Sequence, residues 1–183
     1  MVSYINSLDE LNKMNISHGG IIPFTLHNDE FFFLFGRETK DSNSDDRSLW
    51  GDFGGRVKRD NYLNYIVQSF WEETNGIMGT KEGIRNYIKE NFKKLLIVYS
   101  KEYNGVIIFL PIDYDKKLER IFYTTTMLYK HVLDSNIKSA RERGLLEKDI
   151  IKWFSLNELE GPKMKFRKSN KEIVNFIKKN FSL

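Results

Sequence analysis

The segment that most limits the fold runs from Trp50 to Asn75. Trp50-Gly-Asp-Phe-Gly-Gly-Arg-Val57 reads as a short strand carrying paired glycines. The stretch from about Asn61 to Asn75 reads as a helix with Leu63, Ile66, Val67 and Phe70 on one face, a stripe suited to burial against a sheet. With no side chain, Gly54-Gly55 lets the backbone approach another element or a ligand closely. Ser69, Glu72 and Glu73 fall on a neighbouring stripe of the same helix, since residues three and four apart lie side by side.

Around this segment the chain reads as strands and hairpins with interspersed helices. Gly20–Leu26 and Glu30–Gly36 are expected to be two strands joined by a tight turn at His27-Asn-Asp29, followed by an exposed polar loop from Lys40 to Ser48. Leu95–Ser100 and Val106–Ile112 flank Tyr103-Asn-Gly105, a hairpin signal. Asp149–Phe154 reads as a final strand, and Ser169-Asn-Lys-Glu172 as a capping box for a closing helix with Ile173, Phe176 and Ile177 on its apolar stripe. Hairpins outnumber crossovers, so the class is α/β or α+β, a central mixed sheet with helices packed on it.

The 183 residues suit one domain spanning 1–183. Hydrophobic residues at 40% and charged residues at 30% exclude a fully disordered chain and a membrane-embedded one. The longest apolar runs are strand-sized, and the first residues lack the pattern of a secretory signal. There is no cysteine, so disulfides, thiolate metal sites and cysteine nucleophiles are excluded, and an intracellular, cytoplasmic setting is expected. His18, His27 and His131 are too scattered to suggest zinc. The formal net charge is +4, unevenly spread: residues 161–183 carry seven basic side chains against one acidic, Glu172. Such a basic helical end fits either a solvated amphipathic helix or attraction to phosphate-rich ligands and RNA.

Two adjacent carboxylates repel each other. A divalent cation between them relieves the repulsion, and hard oxygen ligands select Mg²⁺ or Mn²⁺. The run Gly54-Gly-Arg-Val57, then Phe70-Trp-Glu-Glu-Thr74 and Gly76-Ile77, resembles the Nudix box. The flanks are similar too: an early Gly-Ile-Ile-Pro-Phe strand, Phe35-Gly-Arg-Glu38, Trp50-Gly-Asp-Phe53 and a late Trp153-Phe-Ser-Leu-Asn-Glu-Leu159. The likeness runs over roughly residues 17–177. It implies an α-β-α sandwich and a Mg²⁺-dependent (or Mn²⁺-dependent) pyrophosphohydrolase acting on a nucleoside diphosphate linked to another group. On that implication Glu72, Glu73 and the Gly54 carbonyl hold the metal.

The box also departs from the family pattern. Its usual Arg-Glu pair falls on Gln68-Ser69, the spacing from Gly55 to Glu72-Glu73 is one residue short, Asp60 is the only stand-in for the earlier box acid, and Asn75 is an insertion. A hydroxyl at Ser69 orients water but does not take its proton at neutral pH. Known Nudix enzymes of several kinds place the general base in a loop before a late strand, which implicates Glu147, with Glu142 as the other candidate. Arg37, Arg56 and Arg167 are candidates for charge-assisted bonds to phosphate. Small nucleotide derivatives and the 5′ cap of RNA are the implied substrates. The alternative is a catalytically weak Nudix-fold protein that binds a nucleotide or phosphorylated ligand in a regulatory role, motivated by Gln68-Ser69. A nucleic-acid-binding module without phosphoanhydride chemistry rests on the basic end alone. The sequence leaves the oligomeric state open.

Overall fold

The computed structural model describes residues 2–40, 45–58, 61–133, 145–161 and 164–181. Among them, eight strands form one mixed sheet: β1 (Val2–Tyr4), β2 (His18–His27), β3 (Glu30–Glu38), β4 (Trp50–Gly51), β5 (Phe53–Arg56), β6 (Leu96–Ser100), β7 (Gly105–Pro111) and β8 (Lys148–Ser155). The main path runs β1-β6-β7-β2-β3-β4, with β5 added to β2 and β8 to β3. Only β2 and β7 pair in parallel; every other pairing is antiparallel.

The two hairpins form where turn chemistry predicts them. Asn28 and Asp29 both take positive φ, the demand of a two-residue turn whose twist matches its strands. At the second, Asn104 holds φ 45° at the end of a longer loop, and Tyr103 N–H donates to Ser100 Oγ at 3.2 Å. These strands begin and end within two residues of the expected positions.

Alternation along the strands divides the apolar side chains between two cores. On β7, Val106, Ile108 and Leu110 face one side and Ile107 and Phe109 the other. The first core is covered by α1 (Leu8–Lys13), α2 (Tyr62–Glu73), α3 (Lys81–Asn91) and α4 (Leu118–Val132). Over the second lie α5 (Leu156–Glu160) and α6 (Lys171–Asn180), with the Phe33 ring edge-on to both Phe109 and Phe181 beneath them. The architecture is therefore α+β, a mixed sheet with helices on both faces. No helix of the described residues is long and apolar enough to cross a membrane.

The closing helix starts differently from the expected capping box. Its N-cap is Asn170 without a side-chain cap bond, because a 3₁₀ turn at Lys168–Asn170 precedes it and Glu172 is instead bonded to Ser100 Oγ on β6. The reciprocal box forms one helix earlier, between Ser155 and Glu158. The amphipathic reading of α6 holds: Ile173, Val174 and Ile177 are buried while Lys171 and Lys179 are exposed. Lys163 lies outside the described residues.

Helix α2 can lie close on β2 because Gly19 has no side chain. A Cβ there would come within 2.5 Å of Ile66 Cγ1. We expect Ile66→Ala to cost about 2–5 kcal/mol and Gly19→Ala about 1–3 kcal/mol. The double variant should cost clearly less than the sum, since the alanine at 66 vacates the space that a methyl at 19 invades. Urea unfolding of the four proteins measures this coupling.

Candidate functional site

The box helix delivers its two glutamates to different places. Glu73 is seven residues beyond Ile66 and three beyond Phe70, so it continues the buried stripe and is 4% exposed. Its Oε2 accepts the Gly54 N–H at 2.8 Å, tying the end of α2 to β5. Glu72, one residue back, is only half-buried and accepts from Gln68 Nε2, its neighbour one turn earlier. Beyond them Thr74 caps the helix through Phe70 O at 2.7 Å. The inserted Asn75 takes positive φ and donates to Thr126 Oγ1 on α4 at 2.9 Å.

The paired glycines have separate steric roles. A Cβ on Gly54 would overlap the Gly19 carbonyl oxygen and Gly20 Cα, which are backbone and cannot move aside. One on Gly55 would meet Ser69 Oγ at 3.0 Å. Both glycines thus serve close packing, Gly54 against β2 and Gly55 against α2.

A second charged group enters from the sheet. Lys148, the first residue of β8, is 1% exposed and stands opposite Glu38 on β3. Its Nζ is hydrogen-bonded to Glu38 Oε1 and lies 3.4 Å from Glu73 Oε1. Arg167 adds a second cation: Nη1 is 3.1 Å from Glu38 Oε1, and Nε is 3.2 Å from Asp46 Oδ2. Burial acts to lower the Lys148 pKa, but Glu73 and Glu38 outweigh it and the ammonium is held above its ordinary value. Burial also works against the Arg167 charge, and Asp52, Glu38 and Glu73 more than offset it.

Glu147 joins this group through a hydrogen bond to the Glu73 carboxyl. Burial pushes Glu73 well above the usual carboxylate range, against the pull of Lys148 and with repulsion from Glu147 and Glu38 added. Burial raises Glu147 as well, opposed by its bond to Glu73 and by Lys148. Two carboxyls in contact titrate as a unit, and the upward shift means that the pair keeps a proton beyond the range of free carboxylates.

Of the seven residues singled out in the sequence, the structure brings Gly54, Glu73, Glu147 and Arg167 into this one network. Glu72 is on an adjoining face of α2. Arg37 forms a two-pronged pair with Asp149 at 2.9 and 3.0 Å, which engages its guanidinium fork. Arg56 is exposed at the end of β5, opposite His18 on β2. Glu142 and Asp60 lie outside the described residues. Lys148 and Glu38 were missed as members of the site. Lys148 stands beside Glu147 in the sequence, but its inward direction depends on the β3–β8 register, which no local motif announces.

A divalent ion fits this donor set poorly. Each Glu73 oxygen already faces a donor, Gly54 N–H or the Lys148 ammonium. Glu72 is turned to Gln68, and Ser69 supplies a hydroxyl in place of a carboxylate. Among the described residues, no three His, Asp or Glu side chains are grouped to hold a metal.

No protein-family model matches the chain. Among curated proteins it is similar to the uncharacterized protein L534 of Acanthamoeba polyphaga mimivirus, with 28% identity over 182 residues, covering 79% of this chain and 58% of that protein. The chain therefore spans less than two thirds of that relative's length. Among solved structures it is similar to the Nudix domain of Shewanella oneidensis NrtR complexed with ADP ribose, with 12% identity, a TM-score of 0.49, and coverage of 97% of this chain and 95% of that one.

Two predictions follow from the geometry. Gly54→Ala should destabilise by about 3 kcal/mol or more, while Gly55→Ala should cost no more than about 1 kcal/mol because a hydroxyl can rotate away; thermal unfolding compares them. The second concerns pH. An acid whose folded pKa is raised holds a proton that the unfolded chain releases, so its contribution falls as pH rises above the free-carboxylate range. Replacing Glu147 with Gln should flatten the decline in melting temperature between about pH 5 and about pH 8 relative to wild type. His18, whose pKa is lowered mainly by burial and then by Arg56 and Arg167, acts in the opposite direction in both proteins and cancels in the comparison.

Proposed function

We propose that the chain is a Nudix-like protein that binds a nucleotide-type diphosphate ligand without a divalent ion and turns it over slowly or not at all. The ligand class comes from the resemblance of residues 17–177 to that family. The observation that carries the metal-free reading is the state of Glu73, whose two oxygens face the Gly54 N–H and the Lys148 ammonium. Gln68 and Ser69 agree with it, since neither supplies the anionic oxygen that a metal-centred hydrolase needs. Among Arg37, Arg56 and Arg167, Arg56 is the one whose guanidinium is exposed and so suited to a phosphate oxygen.

Calorimetric titration with ADP-ribose as the probe tests this reading. The dissociation constant is expected to agree within about threefold between EDTA and Mg²⁺, and Arg56→Ala to weaken binding about tenfold, equivalent to about 1.4 kcal/mol. Mass spectrometry of the same mixtures should show no released phosphate-containing product. Binding that requires Mg²⁺ overturns the proposal.

A second reading, hydrolysis with a bound Mg²⁺ or Mn²⁺, is favoured by one feature. Glu147 meets the box glutamate from the lead-in to β8, and a carboxyl whose pKa is drawn upward accepts a water proton more readily near neutrality. Metal-dependent turnover by wild type, lost in Glu73→Gln and Glu147→Gln, establishes this reading in place of the first.

A further inference from the structure

We propose that the hollow between α1, α2 and α3 is a binding site for a phosphate monoester, separate from the Glu73–Lys148 network. It lies at the opposite end of α2 from Glu73, roughly 18 Å along the helix axis. The site is independent of the functional reading above.

The three helices leave a cavity of about 340 Å³. That is within the range of about 300–1,000 Å³ usual for small-molecule sites. Its polar wall is made by Asn12 of α1, Asn61 and Asn64 at the start of α2, and Arg85, Asn86 and Lys89 of α3. The wall holds two cations and no carboxylate.

The counter-charge that Arg85 lacks is what points to a ligand. Among the described residues three arginines are half-buried: Arg37, Arg85 and Arg167. Arg37 is met by Asp149, and Arg167 by Glu38 and Asp46. Arg85 forms no ion pair among the described residues, and neither does Lys89. These two stand one turn apart on α3, so their heads rise from the same side of the helix and repel each other.

Arg85 is steadied by a neutral group instead. Its Nη1 donates to Asn64 Oδ1 at 3.4 Å, a bond that reaches from α3 to α2. This sets the Asn64 amide with its oxygen toward the cation and leaves its NH₂ group as a donor. Asn61 makes no side-chain cap bond to α2, so its amide is available too.

A ligand that suits this wall brings the missing anion. A phosphate monoester carries between one and two negative charges at neutral pH, on three strong acceptor oxygens. It therefore matches two cations, with a guanidinium taking two oxygens at once and the ammonium and amides the rest. A phosphodiester carries a single charge and leaves one cation of the wall unmatched. The cavity has room beyond the phosphate for a sugar-sized group.

The test follows the Arg85 Nε and asparagine NH₂ signals by ¹⁵N NMR while ribose 5-phosphate or inorganic phosphate is added, with sodium chloride at matched ionic strength as the control. Ribose 5-phosphate should shift Arg85 and Asn64 along a saturable curve, about threefold or more tightly than inorganic phosphate. Arg85→Ala and Lys89→Ala should each weaken it about tenfold, and the double variant should abolish it. Both replacements put a good helix former on the outer side of α3, and the undisturbed remainder of the spectrum shows that the fold is kept. Arg56→Ala should leave this affinity within about twofold. Shifts that chloride reproduces would overturn the proposal, as would saturation that survives both alanine variants. So would inorganic phosphate, or the phosphodiester UpU, binding as tightly as ribose 5-phosphate. Loss of metal-free ADP-ribose binding would remove the functional reading alone, whereas only the titration of this hollow removes the present one.

Discussion

A lysine ammonium taken fully out of water costs several kcal/mol unless carboxylates meet it, and Lys148 is met on two sides. That requirement fixes more than one side chain. Glu38 is available only because β3 and β8 pair in the register that sets it opposite Lys148. Glu73 arrives only because α2 lies close enough on β5 for the Gly54 N–H to hold it. Arg167 reaches Glu38 from the stretch that leads into α6. Elements from both faces of the sheet therefore converge on one ion network. Loss of any one partner leaves a buried charge exposed to the full desolvation penalty.

A polar group on the other side of Gly54 shows how closely this region is packed. Asp52 is fully buried, with Oδ1 accepting from Asn170 Nδ2 at 2.7 Å and Oδ2 without a hydrogen-bond partner. That oxygen lies against Gly20 and Gly54, where any added Cβ would overlap it or press on it. A buried carboxylate oxygen without a donor is tolerated where a strong positive field compensates, and Arg167 supplies one. Gly54, half of what looks like a ligand-binding turn in the sequence, is thus required twice by packing: it admits the neighbouring strand on one side and an uncapped oxygen on the other.

The fold was largely legible because its signals are local. Asn28-Asp29 and Asn104 announce their turns, and alternation along β7 sorts its side chains between two cores without tertiary information. The four-residue spacing of Ile66 and Phe70 gives the buried face of α2, and continuing the count to Glu73 carries that acid inward while Glu72 falls beside Gln68. Grouping both acids on one neighbouring stripe blurred this difference of about 100°. The capping box at Ser169 failed for another reason. Glu172 had a competing tertiary partner in Ser100, and sequence spacing cannot weigh a long-range bond against a local one. Lys148 was hidden in the same way. Beside Glu147 it looks like half of a solvated pair, and only the pairing of two strands 110 residues apart turns it toward Glu38.

That concealed lysine changes what the box resemblance implies. A pattern of glycines and glutamates is compatible with two electrostatic solutions, a mobile divalent ion or a fixed ammonium, because both neutralise the same oxygens. They differ in what they leave free. A metal keeps coordination positions open to substrate, and its charge can polarise a water held there. An ammonium spends its donors on the carboxylates around it and offers no open position. Gln68 and Ser69 are compatible with the second solution, because an anion at position 69 would add repulsion where Lys148 already balances the charge. Glu73 accepts the Gly54 N–H and faces Lys148, so it joins β5 to α2 through groups of the chain itself.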